Sequence, residues 1–364
     1  MKQSDNLTIL AIETSCDDTC VTIVKVKNQK SKVKSFDVLS NVVSSQIEIH
    51  QKYGGVYPSL AKREHQKNLP IIIKKVLKKA KKIDLIAVTV GPGLEPCLWT
   101  GVNFAKKLAE EWNLPIVPVN HIEAHILINF IKKFQVLSFK FQEIFPAVCL
   151  VVSGGHTQLI LMQDFGKYKI LGETRDDAAG ECFDKVARIL GLGYPGGPAI
   201  AKEASKNPLR PVLDGNFRRG RASPKLPRPM LHQKNYDFSF SGLKTAVLYK
   251  VKNLRNRVPK KELGSLAKEV QQAIIDVLIK KTLKAAKDFK AKTIILGGGV
   301  TANDELRKQF KFKIKNLKLK INFLVPPKNF CTDNAVMTAI AAYFNLNKKT
   351  KNWQKIKANA NIKL

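Results

Sequence analysis

No uninterrupted run of about 18 apolar residues occurs in the chain, so it holds no candidate membrane-spanning helix. Cysteine is scarce and lacks redox or metal spacing. The six residues, Cys16, Cys20, Cys97, Cys149, Cys182 and Cys331, form no Cys-x-x-Cys pair and read as reduced thiols of a cytoplasmic protein. The first strand is reached by Leu7, which leaves no stretch for a signal or transit peptide. The His-Glu-x-x-His of a zincin is missing. The one literal Gly-x-Gly-x-x-Gly, Gly191-Leu-Gly-Tyr-Pro-Gly196, follows a helical stretch and contains a proline, which speaks against a Rossmann dinucleotide site. Acidic residues are few: 29 against 63 Lys and Arg, a formal net charge of +34. Such an excess draws polyanions, so nucleic acid is the natural partner. Equally, lysines spread over helix faces, as in Ile73-Lys-Lys-Val-Leu-Lys-Lys-Ala-Lys-Lys82, are what a lysine-biased proteome produces.

What is present suffices for two substantial cores: 364 residues, 44% of them hydrophobic. The chain is organised around Ala147 to Met162, where two β-branched and aliphatic runs flank Ser153-Gly154-Gly155-His156-Thr157. The pattern predicts two buried strands and a tight hairpin. Its turn is either an ordinary surface hairpin or a phosphate cradle, because glycines let successive N–H groups aim at one anion. Leu7 to Val26 repeats the arrangement around Thr14-Ser15-Cys16-Asp17-Asp18-Thr19.

The parallel continues downstream. In the first half a helical stretch, Leu60 to Lys82, precedes strand Asp84 to Val90 and Gly91-Pro92-Gly93; then come a helix, the strand Pro115 to Val119, and a helix from Asn120. In the second half helical stretches precede strand Lys292 to Leu296 and Gly297-Gly298-Gly299; then come a helix, the strand Ile321 to Val325, and a helix from Thr332. One order used twice predicts an α/β protein of two similar lobes facing one another across a cleft. The lobes are expected at 1–143 with 332–364, and at 144–331. Ligands of such sheets sit beyond the strand ends, where the glycine-rich turns converge.

The second half is longer between its second and central strands, with an insertion at about 172–262. Within it Asn207 to Asn235 gathers Arg210, Arg218, Arg219, Arg221 and Arg228, a set suited to phosphate contacts or to a solvated linker. Phe238 and Phe240, alternating with serines, read as packing residues rather than base-stacking platforms.

His121 and His125 are four apart, so a helix puts both imidazoles on one face, either as a cation pair or as ordinary helix histidines. Glu123 points roughly 200° around the helix from His121, which argues against a protease. A completing carboxylate must come from elsewhere. Asp333 opens the equivalent helix of the second half, and it is either that ligand or the helix N-cap. In Leu296-Gly-Gly-Gly-Val-Thr-Ala-Asn303 a ligand can approach the backbone closely, and Asn303 can offer its amide to a ribose or base.

A set of motifs spread nearly end to end resembles one family: Ala11-Ile-Glu-Thr-Ser-Cys-Asp-Asp-Thr19, Tyr53-Gly-Gly-Val56, Gly91-Pro-Gly93, His121-x-x-x-His125, Val152-Ser-Gly-Gly-His-Thr157, Asp176-Asp-Ala-Ala-Gly-Glu181, Tyr194-Pro-Gly-Gly-Pro198, Phe238-Ser-Phe-Ser-Gly-Leu-Lys-Thr245, Gly297-Gly-Gly-Val-Thr-Ala-Asn303 and Cys331-Thr-Asp-Asn334. These are similar to the TsaD family of tRNA threonylcarbamoyltransferases, formerly O-sialoglycoprotein endopeptidases, and Ser-Gly-Leu-Lys-Thr resembles its bacterial branch.

The resemblance implies the duplicated, ribonuclease H-like fold of actin, heat-shock ATPases and sugar kinases. It implies transfer of L-threonylcarbamoyl from threonylcarbamoyl-AMP to adenosine 37 of tRNAs that read codons beginning with A. It implies one divalent metal, iron with zinc as the alternative, on His121, His125 and Asp333. It implies an adenylate site at Val151, Val152, Ser153, Gly154, Gly155, His156, Asp184, Gly197 and Asn303, with Asp17 beside the transferred group as base or positioner. It also implies two partner proteins, a non-catalytic paralogue and an ATPase. One departure stands out: Ala199-Ile-Ala201 replaces a polar residue that many relatives carry, which removes an expected hydrogen bond to the ribose. Other classes predict other behaviour. A metalloprotease would lose peptide cleavage on chelation, a small-molecule kinase would consume ATP without tRNA, and a non-catalytic nucleic-acid scaffold would tolerate His121→Ala.

Overall fold

The computed structural model describes residues 6–29, 32–131, 143–206, 226–254, 258–317 and 320–364. Its first half runs β1 (Asn6–Glu13), β2 (Asp18–Gln29), β3 (Lys32–Ser45), α1 (Ile47–Gln51), α2 (Pro58–Leu77), β4 (Leu85–Gly91), α3 (Glu95–Glu111), β5 (Ile116–Asn120) and α4 (His121–Leu127). The second runs β6 (Ala147–Val152), β7 (Thr157–Asp164), β8 (Lys167–Glu173), α5 (Ala179–Ile189), α6 (Gly196–Ser205), α7 (Ser241–Asn253), α8 (Lys260–Asp288), β9 (Thr293–Gly297), α9 (Asp304–Asn316), β10 (Asn322–Leu324) and α10 (Ala335–Phe344).

Each half builds a five-stranded sheet with the same order, β3-β2-β1-β4-β5 in one and β8-β7-β6-β9-β10 in the other. In both, the first three strands are antiparallel neighbours and the last two join parallel to the first. The repeat therefore exists as two sheets of one topology, the duplicated actin-type fold. Sequence reading missed one strand per half, β3 and β8. Both are edge strands, and β3 leaves Val38, Leu39 and Val43 exposed, so neither carries a clean half-buried alternation.

The central strands β1, β4, β6 and β9 are buried on both faces because helices cover both faces of each sheet. From β1, Leu10 and Ile12 pack with α2 and α3 on the outside. Ile9 and Ala11 turn inward to a core shared with α4 and α10. From β6, Val148, Leu150 and Val152 pack outward with α5 to α8, while Ala147, Cys149 and Val151 enter that same central core. Thus α4 and α10 form a layer between the two sheets, α10 lying on the first sheet and α4 touching β6 and β9 of the second. The helix that ends each half leans on the other half. The polar ends of these two helices open at the strand tips, where the hairpin turns of both halves also lie.

Candidate active site and metal centre

The middle layer sets where the histidines go. Asn120 caps α4, its side-chain oxygen accepting from Ile122 N at 2.9 Å and Glu123 N at 3.1 Å, a contact type worth about 1 kcal/mol. The 3.6-residue period then sets His121 and His125 edge to face, their ring centroids 4.6 Å apart at 82°. Both rings are buried. Gly297 at the end of β9 permits the close approach of α4, since a Cβ there would stand 2.5 Å from the His125 carbonyl oxygen.

The second half brings Asp333 to this pair. Its Oδ1 lies 3.5 Å from His121 Nε2 and 3.2 Å from His125 Nε2. The cap of α10 is Asn334, whose side chain accepts from Met337 N at 3.0 Å, so the Asp333 carboxylate is not consumed as the N-cap. The three ligand atoms all fall within 4.8 Å of one another. Two imidazole nitrogens and one carboxylate oxygen suit a divalent ion, and ligand atoms at about 2.1 Å from one centre lie roughly 3–3.5 Å apart, close to the spacing found. Beyond the 3.2 Å approach of Nε2 to Asp333 the buried His125 imidazole makes no hydrogen bond, and a cation at Nε2 would give that nitrogen a partner.

Charge governs titration here. Burial pushes the His121 imidazole down, but Asp333 and Glu13 outweigh it and lift its pKa to about 9. Asp333 is held down to about 2, its burial overcome by His121 and His125. Burial keeps His156 neutral, down to about 4, with the His121 and His125 charges adding to the effect. Glu123 sits away from the pair, accepting Tyr168 Oη–H at 3.0 Å and an Asn345 amide hydrogen at 3.0 Å. It is no general base beside a metal.

The Ser153–His156 turn closes on itself: Ser153 N–H donates to His156 O at 2.8 Å and His156 N–H to Ser153 Oγ at 3.1 Å. The N–H groups of Gly154 and Gly155 stand outside those bonds, and a Cβ on either glycine would meet nothing within 4 Å. Val151 and Val152 are buried strand residues that deliver this turn. The N-terminus of α5 abuts it, Gly180 N–H donating to Ser153 O at 3.2 Å, a position that favours an anion.

Asp184 of α5 accepts Gly196 N–H at 2.7 Å, and burial lifts its pKa to about 6 against that bond. Gly197 faces open space. Asn303 is committed at both ends, capping α9 through Leu306 N–H at 3.0 Å and donating to Gln271 Oε1 at 2.8 Å. A ligand would have to use its second amide hydrogen. Asp17 is half-buried, its carboxyl raised by burial, while its hydrogen bond with Cys16 works the other way and the Asp333 charge adds to the rise. Its own charge raises Asp184 and Tyr194 in turn, so it belongs to the same cleft.

Two readings of the arginine-rich segment part here. Arg210, Arg218, Arg219 and Arg221 lie outside the described residues. Arg228 is not free for phosphate: its guanidinium pairs with Glu269 and, at 3.0 Å, with Asp276 of α8. Phe238 and Phe240 are fully buried and stacked with centroids 6.3 Å apart, as packing residues.

Sequence reading gave no role to Glu13, which touches His121. The signal was a carboxylate ending a strand of apolar residues, since a buried charge demands partners.

The family model for TsaD, tRNA N6-adenosine threonylcarbamoyltransferase, matches residues 37–340. A protein of Thermosipho africanus with that name is 46% identical over 98% of this chain and 99% of its own length. Those of Syntrophomonas wolfei and Geobacillus thermodenitrificans are 44% and 43% identical, each over 93% of this chain and over 92% and 91% of their own lengths. Among solved structures, full-length HypF in its phosphate- and nucleotide-bound form superposes with a TM-score of 0.57 at 12% identity. That match covers 95% of this chain and 47% of HypF, and it speaks for the fold alone.

Proposed function

The chain belongs to the TsaD family of tRNA N6-adenosine threonylcarbamoyltransferases, and we propose that it carries L-threonylcarbamoyl from threonylcarbamoyl-AMP to adenosine 37 of tRNAs reading codons that begin with A. It is an acyltransferase acting on tRNA. Membership implies a divalent metal, and we assign it to His121, His125 and Asp333, with iron as the ion and zinc the alternative.

The observation that carries the reading is the meeting of those three side chains, drawn from both halves, beside an open glycine turn. A divalent cation there would supply a Lewis acid for the mixed anhydride and charge stabilisation as AMP departs. The chain's own groups do the rest. Gly154 and Gly155 N–H groups and the α5 N-terminus cradle the phosphate. Val151 to His156, Asp184, Gly197 and Asn303 hold the adenylate, and neutral His156 donates one ring N–H. The adenosine N6 attacks the carbamoyl carbon, the bond to the phosphate oxygen breaks, and Asp17 either takes the N6 proton or holds the acyl group in line.

The remaining assignments stand on the same footing. The lobes are 1–143 with 332–364, and 144–331, a division supported by the seat of α10 on the first sheet. The partners are a non-catalytic paralogue and an ATPase, and the compartment is the cytoplasm, in keeping with the lack of any membrane-spanning helix among the described residues. The test is incubation with threonylcarbamoyl-AMP, unmodified tRNA and the partner proteins, followed by mass spectrometry of nucleosides. Modified adenosine is expected. Its absence, or chelator-sensitive peptide cleavage in its place, would overturn the proposal.

A further inference from the structure

Glu13 ends β1 beneath the cleft, fully buried, where a carboxylate without partners would be costly. Groups from four places close on it. Oε1 accepts Ser15 N–H at 2.7 Å. Oε2 accepts the Thr89 hydroxyl of β4 at 2.5 Å and the Thr338 hydroxyl of α10 at 3.4 Å, and lies 3.2 Å from His121 Nδ1 of α4, a nitrogen that the Ser15 hydroxyl also meets at 3.1 Å; of the two, the carboxylate is the stronger acceptor and itself holds Ser15 through its N–H. Both carboxylate oxygens are thereby fixed in direction. On the far edge of the His121 ring, Nε2 faces Asp333 Oδ1. His125 has no such support, its buried Nδ1 being without a hydrogen-bond partner.

We propose that Glu13 is a positioning residue for the cation: by accepting the His121 Nδ1 proton it fixes the tautomer and ring angle that present the Nε2 lone pair to an ion shared with His125 and Asp333. The inference rests on the metal assignment above and adds the device that prepares it. A carboxylate behind a ligating imidazole raises its basicity and removes the entropy of ring rotation. The Thr89 and Thr338 hydroxyls extend the chain of restraint to a strand of one half and a helix of the other, so the ligand is held by both.

Zinc serves as the probe, with the full-length chain throughout. Affinity is read by competition with a chromophoric chelator, and the tautomer by long-range proton–nitrogen NMR of the zinc-loaded protein labelled at histidine. In the unaltered chain His121 should keep its proton on Nδ1. Glu13→Gln retains a carbonyl acceptor and should lose several-fold in affinity, whereas Glu13→Leu should lose roughly 10–100-fold. Should Glu13→Leu fail to fold, Thr89→Val, which removes one clamp on Oε2, should still weaken zinc by a few-fold. A proton on Nε2 of His121, or affinities within about twofold of the unaltered chain for Glu13→Gln and Thr89→Val, would overturn the role of Glu13 while leaving the metal site standing. No zinc binding by the unaltered chain would overturn the metal assignment itself.

Discussion

Gly297 and Gly154 make opposite use of the same missing methyl group, and replacing each with alanine separates packing from ligand space. A Cβ on Gly297 would stand 2.5 Å from the His125 carbonyl oxygen and 3.3 Å from the His125 Cβ. Ordinary contact begins near 3.4 Å, so one backbone must retreat by roughly 0.9 Å. Neither has room to do so. β9 lies inside its sheet, paired with β6 on one side and β10 on the other, and α4 is pressed between the two sheets. Gly297→Ala should therefore cost about 1–3 kcal/mol, read as a lower urea midpoint at unchanged slope. It should also displace His125 from Asp333 by more than the ~0.2 Å that metal–ligand distances tolerate, so zinc affinity should fall in the same variant. At Gly154 and Gly155 a Cβ meets nothing in the protein, and neither residue needs a positive φ. Alanine there should change stability by no more than about 0.5 kcal/mol while raising KM for threonylcarbamoyl-AMP, since the methyl enters space assigned to the adenylate. A Gly297→Ala protein with the stability and zinc affinity of its parent would refute the packing argument. An unchanged KM in Gly154→Ala and Gly155→Ala would remove the turn from the substrate site.

Asp333→Asn should release the metal and abolish transfer, with metal content per chain as the direct measurement, since the amide cannot replace the charge that two buried imidazoles face. Glu123→Gln should leave metal content and transfer unchanged, because its contacts are Tyr168 and Asn345 on another face; loss of metal would show that face to be part of the site. Asp184 keeps its proton to about 6 in the folded chain against 3.8 as a free group, so its ionisation opposes folding once pH rises through that interval. Asp184→Asn should then be the more heat-stable protein at pH 8 and lose that advantage towards pH 4, while its affinity for the adenylate falls. A stability difference that grew on acidification would contradict the sign.

The duplicated topology was legible because each half repeats the same events in the same order, and because β1 and β6 are apolar on both faces, as strands between helix layers must be. The edge strands β3 and β8 escaped notice, since a strand with one open side tolerates Lys, Ser and Asn wherever it faces water. Helix spacing alone made His121 and His125 neighbours. For Asp333 the sequence left ligand and N-cap equally open, and the choice went to Asn334 as the cap because only its side chain reaches Met337 N–H. Arg228 misled for a general reason. Composition can show that guanidinium groups cluster, but whether they face solvent or an acidic helix depends on partners such as Glu269 and Asp276, more than 40 residues away. Glu13 was hidden likewise: its contacts with Thr89, His121 and Thr338 span up to 325 positions.

The charge distribution divides the labour between surface and cleft. A net charge of +34, whether selected for polyanion binding or set by a lysine-biased composition, would act on a polyanion only within a Debye length of about 8 Å at physiological salt. The cleft has the reverse character, gathering Glu13, Asp17, Asp18, Asp184 and Asp333 from a chain with only 29 acidic residues. Burial above all raises Asp17 and Asp18, the latter to about 7, with the Asp333 charge adding to both and the Asp17 charge to Asp18, so further negative charge at this wall is disfavoured. A divalent ion on one side and glycine N–H dipoles on the other would offset that crowding and let the mixed acyl–phosphate anhydride approach a wall that would otherwise repel it. Asp333 and the two imidazoles come from opposite halves of the sequence but share one lobe, so a cation held among them would tie α4 to α10, and its binding free energy would add to the packing of the middle layer.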